Sequence, residues 1–494
     1  MSHKSKPASP KSKDASPKSK DASPKTKTIT IAPVTRVEGH GAVTIQLDAN
    51  GNVADAHFHV MDFRGFERFM TNRPVEEAVH IAPRMCGICP VSHHLTAAKA
   101  GDALYGVDPP RPAKLLRELM DLGQYVHSHT LHFFYLAAPD LLFPDADAST
   151  RNVVTLLQKD PKLVGQVIRL RQIGQNIVEA VGGRSIHPVT SVPGGQNKPL
   201  SSAERDNLLK QLQEAKTLAT TLIPVVRPLL DKVDFLDRQD TAYLGLVKDG
   251  NLELYDGTLR LVSHDGKRLE EFAPKDYLKY IGEHVENYSY LKFPFYRKLG
   301  WPQGIYRVGP LARLNVCDTI STPLAREELQ RIRDRFGRTP DHTFLYHWSR
   351  MVELLYAIER IEQLLNDKDI TSTNIRSDFT IKAGEGVGVI EAPRGTLFHH
   401  YTANENGILT NVNLIVATIG NNPAMDIGVK AMAKRLIHNG KVTEPLTSHI
   451  ESEIRAYDPC LSCAVHAVNG HIALRIKVLN HLGETTQVVS NFKD

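Results

Sequence analysis

Two cysteine pairs are the residues with the clearest chemical potential in this chain. Each has the spacing Cys-x-x-Cys, with Cys86 and Cys89 early in the sequence and Cys460 and Cys463 close to its end. Two thiolates two residues apart can reach the same metal ion, so two such pairs could form a four-sulfur site. A compact zinc ribbon closes its site within a few dozen residues, whereas this one would join distant segments of a large domain. The separation therefore indicates a buried reactive centre.

The ligand type leaves several kinds of centre open. Thiolates are soft ligands that suit zinc, nickel, iron and iron–sulfur clusters. The pairs could hold structural zinc or a redox-active metal, or could form a thiol–disulfide centre. The chain has five cysteines, and this odd number argues against a secreted disulfide framework and for a reducing compartment. The fifth, Cys317, is predicted to be a buried small apolar residue.

Charged residues accompany the cysteines and recur in short glycine-containing motifs. Asp458 lies two residues before Cys460, while Glu38, Glu67 and Arg394 lie next to or near a glycine. A buried charge needs a partner. If these residues surround a buried centre, they must pair with one another or with a bound group.

Composition excludes some classes of function. The net charge is +5, but residues 1–27 contain eight lysines and two aspartates, which leaves −1 for the rest. This segment repeats a seven-residue Lys/Ser/Pro unit without aliphatic bulk, so we expect a disordered tail and no nucleic-acid binding. Neither a membrane span nor a signal peptide is evident. We therefore expect a cytoplasmic protein.

Hydrophobic periodicity predicts the elements that carry these residues. Apolar positions three and four apart predict long helices, and alternation predicts short strands. We predict an α+β fold that is mainly helical, with a central bundle of long helices and small antiparallel sheets at the periphery. The predicted helices include residues 91–105, 113–138 (ending at Pro139), 161–181, 201–223, 344–366, 424–438 and 447–456, and the predicted strands include 28–32, 43–47, 53–60, 388–392, 396–401 and 407–418.

Four motifs together resemble the signatures of nickel–iron hydrogenase large subunits, in the same order and across residues 28–494. Three further stretches, residues 88–94, 306–315 and 395–401, resemble the cytoplasmic NAD-reducing bidirectional subgroup. The four motifs are Arg36-x-Glu38-Gly39-His40, Arg84-x-Cys86-Gly87-x-Cys89, Ala392-Pro393-Arg394-Gly395 and Asp458-Pro459-Cys460-x-x-Cys463-x-x-His466.

The resemblance implies the hydrogenase large-subunit fold and a nickel–iron centre. Cys86 and Cys460 would bind nickel terminally, and Cys89 and Cys463 would bridge nickel and iron. The iron would carry cyanide and carbon monoxide in a cofactor-binding pocket. A guanidinium is a suitable multi-donor group for an anionic cyanide. The pocket residues implied are Pro393, Arg394, Thr418 and Asp458.

The resemblance also implies catalytic roles and a second metal. Hydrogen would be split heterolytically, with Arg394 at the centre and the proton passing to Cys460 and then to Glu38. From the residues alone, a structural ion-pair partner is the alternative role for Glu38. Glu67, His466 and the Leu414 carbonyl would bind magnesium, which prefers hard oxygen ligands.

Two positions depart from the family pattern, and several histidines have simpler explanations. Ser128 stands where many members have an aspartate between two histidines, and Ala417 replaces the proline that often precedes the cyanide-contacting residue. We expect four histidines near the motifs to be hydrogen-bonded residues of the interior rather than ligands. These are His93, His94, His399 and His400.

The same resemblance divides the chain and implies its partners. Residues 1–27 would be the tail, 28–466 the catalytic domain, and 467–494 a pro-segment removed by a maturation endopeptidase after nickel-insertion factors have acted. An iron–sulfur small subunit would take the electrons, and diaphorase subunits would carry flavin and NAD. The alternatives are a structural four-thiolate zinc protein, a cytoplasmic hydrogenase with a non-NAD acceptor, and a fold relative without nickel, as in the quinone-reducing respiratory complex.

Overall fold

Helices and short strands alternate along the computed structural model, which describes residues 27–62, 64–143, 146, 150–230, 238–441, 444–465, 475–479 and 485–490. Shorter 3-10 turns lie at Ala82–Met85 and Pro274–Lys279. The helices are α1 (Phe66–Met70), α2 (Val75–Ile81), α3 (Pro90–Tyr105), α4 (Arg111–Leu131), α5 (Ala138–Leu142), α6 (Val153–Lys159), α7 (Pro161–Gly182), α8 (Ser202–Leu230), α9 (Pro310–Val316), α10 (Pro323–Phe336), α11 (Leu345–Leu365), α12 (Ala417–Leu436), α13 (Glu444–Tyr457) and α14 (Leu461–Ala464).

The strands form several small sheets. The first is β1–β2–β3, another is β13–β14–β15, and the largest has the order β12–β6–β8–β9 with β7 beside β6. The strands are β1 (Lys27–Ile31), β2 (Gly41–Leu47), β3 (Val53–Val60), β4 (Ser191–Val192), β5 (Gly195–Gln196), β6 (Ala242–Lys248), β7 (Asn251–Leu252), β8 (Thr258–Val262), β9 (Arg268–Phe272), β10 (Ile281–Val285), β11 (Lys292–Tyr296), β12 (Tyr306–Arg307), β13 (Gly384–Ala392), β14 (Gly395–Ala403), β15 (Leu409–Ile415), β16 (Arg475–Leu479) and β17 (Thr485–Ser490).

The four longest helices pack together in the middle of the molecule. Helix α4 packs against α7 and α11, and α8 packs against α7 and α11. The approach of α4 and α7 requires a small residue, because a Cβ on Gly174 would lie 2.7 Å from the Gly123 carbonyl oxygen. This group is the predicted central bundle, and the mainly helical α+β class is confirmed.

The end of α4 differs from the prediction. The helix does not stop at Pro139 but passes through a π-helical turn at His132–Ala137 into α5. Proline is tolerated in the first turn of a helix, where its missing N–H would have no intrahelical partner. Pro139 therefore lies in the first turn of α5, which begins at Ala138. The wider turn directs His132 toward α13, where it bonds the Arg455 carbonyl oxygen at 2.8 Å.

The sheets differ in strand direction and in burial. The predicted sheet of β1, β2 and β3 is antiparallel throughout, whereas β12 pairs with β6 in parallel. The β13–β15 sheet is internal, because β14 is buried along nearly its whole length and contacts both α3 and α12. A predicted strand over 407–418 ends at Ile415, so Thr418 lies in the first turn of α12. The β-branched run Ile415–Val416 resembles a strand, but tertiary packing overrides this propensity.

The two chain ends are described only in part. Residues 1–26, which make up most of the predicted tail, lie outside the described residues. Within 467–494, β16 and β17 form an antiparallel pair. Among the helices of the described residues, none is both long and apolar enough to cross a membrane.

Candidate metal centre

The structure brings the four paired cysteines together in one buried cluster. The Sγ atoms of Cys86 and Cys460 are 3.1 Å apart, and those of Cys89 and Cys463 are 3.4 Å apart. All four sulfur atoms lie within 4.8 Å of one another, and none is in a disulfide. This is the compact arrangement that a shared metal site requires.

Helix and turn ends position the thiols. Cys86 follows the 3-10 turn, Cys89 immediately precedes α3, and the other pair flanks and enters α14. The backbone N–H groups of Ile88 and Cys89 donate to Cys86 Sγ at 3.2 and 3.3 Å. Burial alone would raise the pKa of the Cys86 thiol, but hydrogen bonds from the neighbouring thiols and the Arg394 charge hold this pKa well below its usual value.

The pKa values of the Cys460 and Cys463 thiols shift in the opposite direction from that of Cys86. Burial raises the pKa of both groups well above the ordinary value. Without metal the cluster therefore keeps protons that a bound cation would displace, since metals bind the thiolate form. The donor set of four buried thiols fits a soft transition metal such as nickel.

Glu38 lies directly against this cluster. Its Oε2 atom is 3.1 Å from Cys460 Sγ, which donates to it, and accepts the Ser462 N–H at 3.2 Å. The Ser462 hydroxyl donates to Oε1. The carboxylate is only partly exposed. A thiol and a carboxylate in this geometry can exchange a proton without an intervening water molecule.

Backbone contacts bring Glu38 to this place. Glu38 forms a parallel bridge with Cys460, and its carbonyl accepts the Leu461 N–H at 3.0 Å. The next residue, Gly39, has φ +83°, and a Cβ there would lie 2.8 Å from both Leu461 Cβ and Ser462 N. A side chain at this position would therefore push the two backbone segments apart.

A group of ion pairs that we did not predict from the sequence fixes the segment that carries Glu38. Arg36 pairs with Asp140 of α5 and donates to the Leu136 carbonyl at 2.7 Å. Arg455 of α13 donates to Asp140 at 2.8 Å and to the Thr35 carbonyl at 2.9 Å. The first motif is thus tied to two helices. No motif distinguishes Asp140 or Arg455 from the other charged residues of the chain.

Arg394 approaches the cluster from the turn between β13 and β14. Its Nη2 donates to Asp458 Oδ1 at 2.9 Å, and its Nη1 donates to Ser128 Oγ at 3.4 Å. Burial would lower the pKa of the guanidinium, but the charges of Asp458 and Cys460 raise it, so Arg394 stays protonated. Ser128 thus supplies a hydroxyl where the family pattern has a carboxylate, and Asp458 supplies the negative charge.

A small enclosed cavity separates Arg394 from the thiols. Its volume is about 10 Å³, and its walls include Cys89, Arg394 and Thr418. The Thr418 hydroxyl accepts the Cys460 N–H at 2.9 Å, so its own hydrogen remains available to a ligand. Among the described residues, Arg394 Nε has no hydrogen-bond partner. Unused buried donors beside a thiol cluster fit a metal that carries anionic ligands.

Glu67 lies away from the four thiols, in a separate buried cluster. Its Oε1 accepts the Leu414 N–H at 2.9 Å and a bond from Lys292 Nζ at 2.9 Å. Burial raises the pKa of Glu67 against the opposing charge of Lys292. The N–H and carbonyl of a strand residue face the same edge, so the Leu414 carbonyl lies on the edge of β15 where its N–H meets Glu67. His466, the third predicted ligand, lies outside the described residues.

Lys292 is the residue here that sequence reasoning missed. Its ammonium also donates to Asn413 Oδ1 at 2.7 Å and pairs with Glu283 at 3.3 Å. A lysine alone in a strand carries no motif, so the sequence offered no signal. Of the three predicted magnesium ligands, the described residues include Glu67 and Leu414, a partial fit, and Lys292 already neutralises the Glu67 carboxylate.

The histidines are buried and hydrogen-bonded. His94 bonds the Val79 carbonyl and accepts the Ser191 N–H, each at 2.9 Å. His400 bonds the Tyr277 hydroxyl at 3.0 Å and Glu385. Cys317 is fully buried, and burial raises the pKa of its thiol to about 11. These residues have structural partners and lie outside the thiol cluster.

Comparisons with known proteins agree with this geometry. A family described as nickel-dependent hydrogenase matches residues 64–162 and 249–466, and one described as HoxL-like matches residues 28–63. The chain is 50% identical over 411 residues to the A subunit of the F420-non-reducing hydrogenase vhu of Methanocaldococcus jannaschii, a match that covers 82% of this chain and 98% of that protein. It is 41% identical over 477 residues to the NAD-reducing hydrogenase HoxS subunit beta of Cupriavidus necator, covering 92% of this chain and 98% of that one.

A solved structure supports the same assignment. The crystal structure of an NAD+-reducing [NiFe]-hydrogenase in the H2-reduced state aligns with a TM-score of 0.86 and 44% identity, covering 89% of this chain and all of that one. The family match extends over most of the chain and includes all four clustered cysteines. This chain therefore belongs to the nickel-dependent hydrogenase family and is an enzyme that acts on hydrogen.

Proposed function

We propose that the four-thiol cluster holds a nickel–iron pair at which hydrogen is oxidised reversibly to protons and electrons. The observation that carries this proposal is the Glu38 carboxylate 3.1 Å from Cys460 Sγ, at the edge of a buried cluster of four thiols. In the proposed arrangement Cys86 and Cys460 would be the terminal ligands of nickel, and Cys89 and Cys463 would be shared between nickel and iron. A bound nickel–iron pair supplies the heterolytic cleavage of hydrogen.

The side chains around the pair then handle the proton. Cys460 Sγ holds it and passes it to Glu38 Oε2 across the contact that the structure describes. The Ser462 N–H and hydroxyl hold the carboxylate in place. Because Glu38 is partly exposed, it can release the proton without rotating out of a closed interior.

The iron would carry cyanide and carbon monoxide in the cavity beside Arg394. Arg394 offers a fixed guanidinium and Thr418 a hydroxyl at the start of α12, whereas Pro393, the other expected pocket residue, is not among the residues that line this cavity. Asp458 holds the guanidinium in position through the 2.9 Å ion pair. A helix N-terminus and a guanidinium both favour an anionic ligand.

We also propose magnesium at Glu67, with the Leu414 carbonyl and His466 as the remaining protein ligands. Its support is the buried Glu67 carboxylate and its hydrogen bond to the backbone of Leu414. Magnesium analysis tests this directly, because Glu67→Gln should abolish stoichiometric magnesium and leave nickel in place. An unchanged magnesium content in Glu67→Gln would exclude the site.

Electrons must leave through another protein chain. Four of the five cysteines lie in the cluster and Cys317 stands alone, so the chain has too few cysteines for a four-cysteine iron–sulfur cluster of its own. We therefore propose that the partner is an iron–sulfur small subunit. Diaphorase subunits with flavin and NAD would be the next carriers, a proposal that the similarity to a subunit of an NAD-reducing hydrogenase supports. The unpaired cysteines also favour a cytoplasmic location.

A different final acceptor is the second candidate. The chain is 50% identical to a subunit of an F420-non-reducing hydrogenase and 41% identical to one of an NAD-reducing hydrogenase, so its similarity is not confined to NAD-reducing enzymes. The natively purified complex distinguishes the two. Hydrogen-dependent NAD reduction together with a flavin-containing partner would support the first. Dye reduction without NAD reduction in the intact complex would support the second.

Residues 467–494 are proposed to be a pro-segment that is removed after the metals are loaded. The family match ends at His466, which supports a boundary there. Nickel-insertion factors and a specific endopeptidase would be the partners of this step. Intact mass of the metal-loaded protein tests the proposal, since a chain that still extends beyond His466 when active would exclude it.

The central test is metal content of the anaerobically purified complex. About one nickel per chain, with iron and with infrared bands of iron-bound cyanide and carbon monoxide, is the expected result. Zinc alone, with no hydrogen-dependent dye reduction, would instead identify a structural four-thiolate site. Cys89→Ala should remove hydrogen–deuterium exchange, and retained exchange would contradict a bridging role for this residue.

A further inference from the structure

The contact between Glu38 and Cys460 joins two backbone segments, and each segment contains a residue in a left-handed conformation. Arg36, two residues before Glu38, has φ +55°. Asp458, two residues before Cys460, has φ +56°. Glycine adopts such φ values readily, and aspartate tolerates them because its short side chain can bond to the nearby backbone, whereas arginine has neither advantage. Arg36 is therefore the strained residue beside the proposed proton path.

The backbone is fixed on both sides of Arg36. Before it, the Thr35 N–H donates to Glu451 Oε1 at 2.8 Å, and the Thr35 carbonyl accepts a hydrogen bond from Arg455 Nη1 at 2.9 Å. Both of these partners belong to α13. After it, the Glu38 carbonyl accepts the first backbone N–H of α14 at 3.0 Å. A change of φ at Arg36 would therefore move Glu38 relative to α13 and strain its bond to α14.

The Arg36 side chain is also fixed at its far end. Its guanidinium pairs with Asp140 and donates to the Leu136 carbonyl oxygen at 2.7 Å. Burial and the charge of Arg455 lower the pKa of Arg36, and the Asp140 carboxylate opposes both effects. Strained conformations persist where the surrounding contacts enforce them. The ion pair is such a contact, because a side chain that is held at its far end resists rotation of its own backbone.

We propose that Arg36 and Asp140 are positioning residues whose ion pair holds the left-handed backbone at Arg36 and thereby keeps Glu38 within reach of Cys460. This inference rests on the proposed function, in which Cys460 passes a proton to Glu38. A group that accepts a proton directly must lie within hydrogen-bond reach of the donor. Relaxation of the backbone at Arg36 would lengthen the 3.1 Å contact between Glu38 Oε2 and Cys460 Sγ and would leave every metal ligand unchanged.

Replacing Arg36 with alanine and with glycine separates the backbone effect from the loss of charge. Both variants lose the ion pair, but only glycine adopts the φ of this position without strain. In the complete hydrogenase complex, Arg36→Ala should slow HD formation from D2 in water by about 10–100-fold, since a displacement of about 1 Å can cost this much. Arg36→Gly should retain most of the wild-type rate. A rate for Arg36→Gly no higher than that for Arg36→Ala, at equal nickel content, would overturn the inference.

A second background shows whether Arg36 acts through Glu38. In Glu38→Gln the proton acceptor is already lost, so adding Arg36→Ala should slow HD formation no further. Two changes that act through the same group are not additive in this way, whereas independent structural effects add. A further loss of rate in the double variant, at unchanged nickel content, would place the effect of Arg36 elsewhere and would overturn the inference.

Asp140→Ala provides the test from the other side of the ion pair, and it applies even if Arg36→Ala fails to load nickel. Asp140 lies between the guanidiniums of Arg36 and Arg455, so its removal leaves two like charges facing each other and should displace Arg36. Nickel loading and HD formation should fall in Asp140→Ala and should recover in part when Arg36→Gly is added. A wild-type rate in Asp140→Ala, or no recovery in the double variant, would overturn the inference.

The unfolding midpoint separates this inference from the proposed function. A wild-type rate of HD formation in Glu38→Gln would disprove the proposed proton path, and the midpoints then decide whether the backbone at Arg36 is held under strain. Arg36→Gly should unfold at a higher temperature than Arg36→Ala, the reverse of the usual order of these two residues. Asp249, with φ +50° in the exposed turn between β6 and β7, is the control, where glycine should also exceed alanine without any change in HD formation. A midpoint for Arg36→Gly equal to or below that for Arg36→Ala would overturn the inference.

Discussion

Replacing Glu38 with glutamine tests the proton path most directly. The amide has nearly the shape of the carboxyl group but cannot accept a proton from Cys460 Sγ, 3.1 Å away. Removing a positioned acid–base group slows proton transfer by about 10²–10⁴-fold, or about 3–5 kcal/mol in the barrier. Hydrogen-dependent dye reduction and HD formation from D2 in water should both fall by this factor.

Stability should change much less than activity. Glu38 accepts two hydrogen bonds from Ser462, and glutamine can accept through one atom only, which leaves one donor mismatched. An unmatched donor costs about 1–3 kcal/mol when buried, and partial exposure of Glu38 places the cost at the lower end. Folded domains have about 5–15 kcal/mol of stability, so the variant should fold and load nickel and iron normally.

Ser462→Ala is the matched control. It removes the hydroxyl that donates to Glu38 Oε1 but keeps the Ser462 N–H bond and the carboxylate itself. The loss should stay below about tenfold, because one hydrogen bond to a charged, partly exposed group contributes about 1.5 kcal/mol or less. A Glu38→Gln enzyme with full metal content and the wild-type rate of HD formation would refute the assignment of Glu38 to the proton path.

The packing around the centre makes three other changes informative. Arg394→Ala should destabilise the protein by about 3–5 kcal/mol in denaturant unfolding, because it leaves Asp458 buried without its partner. Arg394→Lys should recover part of this loss. Equal stability of wild type and both variants would show that the Arg394–Asp458 ion pair does not stabilise the protein. Gly39→Ala should lower the unfolding midpoint and the nickel content, because its Cβ would meet Leu461. Gly165→Ala, in open space on α7, should instead stabilise the protein by about 0.5–1 kcal/mol. Similar effects at both glycines would exclude the close approach of Gly39 to Leu461. Burial lowers the pKa of His94 to about 3, whereas in the unfolded chain the pKa is near 6.5, so stability decreases as the pH is lowered below about 6.5. Between pH 7 and pH 5 this residue should cost about 2 kcal/mol of stability. His94→Gln should lessen the pH dependence of the unfolding midpoint, and a pH profile parallel to that of wild type would contradict this prediction.

Much of the site could be predicted from residue types and local spacing. Ligand chemistry depends on the side chain and on its neighbours within one turn, so the two cysteine pairs alone indicated a thiolate metal site. Helix periodicity is also local, and it located the long helices of the bundle. Even so, local propensity misplaced several boundaries, among them those at Pro139 and Thr418 and the end of α8, which continues seven residues beyond the predicted Ile223 to Leu230.

The hydrogen bonds and ion pairs that hold the site residues in place could not be predicted from local spacing. Ser462 on Glu38, Asp458 on Arg394 and Lys292 on Glu67 are ordinary polar residues whose partners lie far away in the chain. Residue types and their spacing dictate which atoms can bind the metals, because that depends on chemistry within a few residues. Folding alone governs which charges neutralise one another and which way each donor faces, because those depend on how the β13–β15 sheet, α3 and α14 pack around one buried cavity.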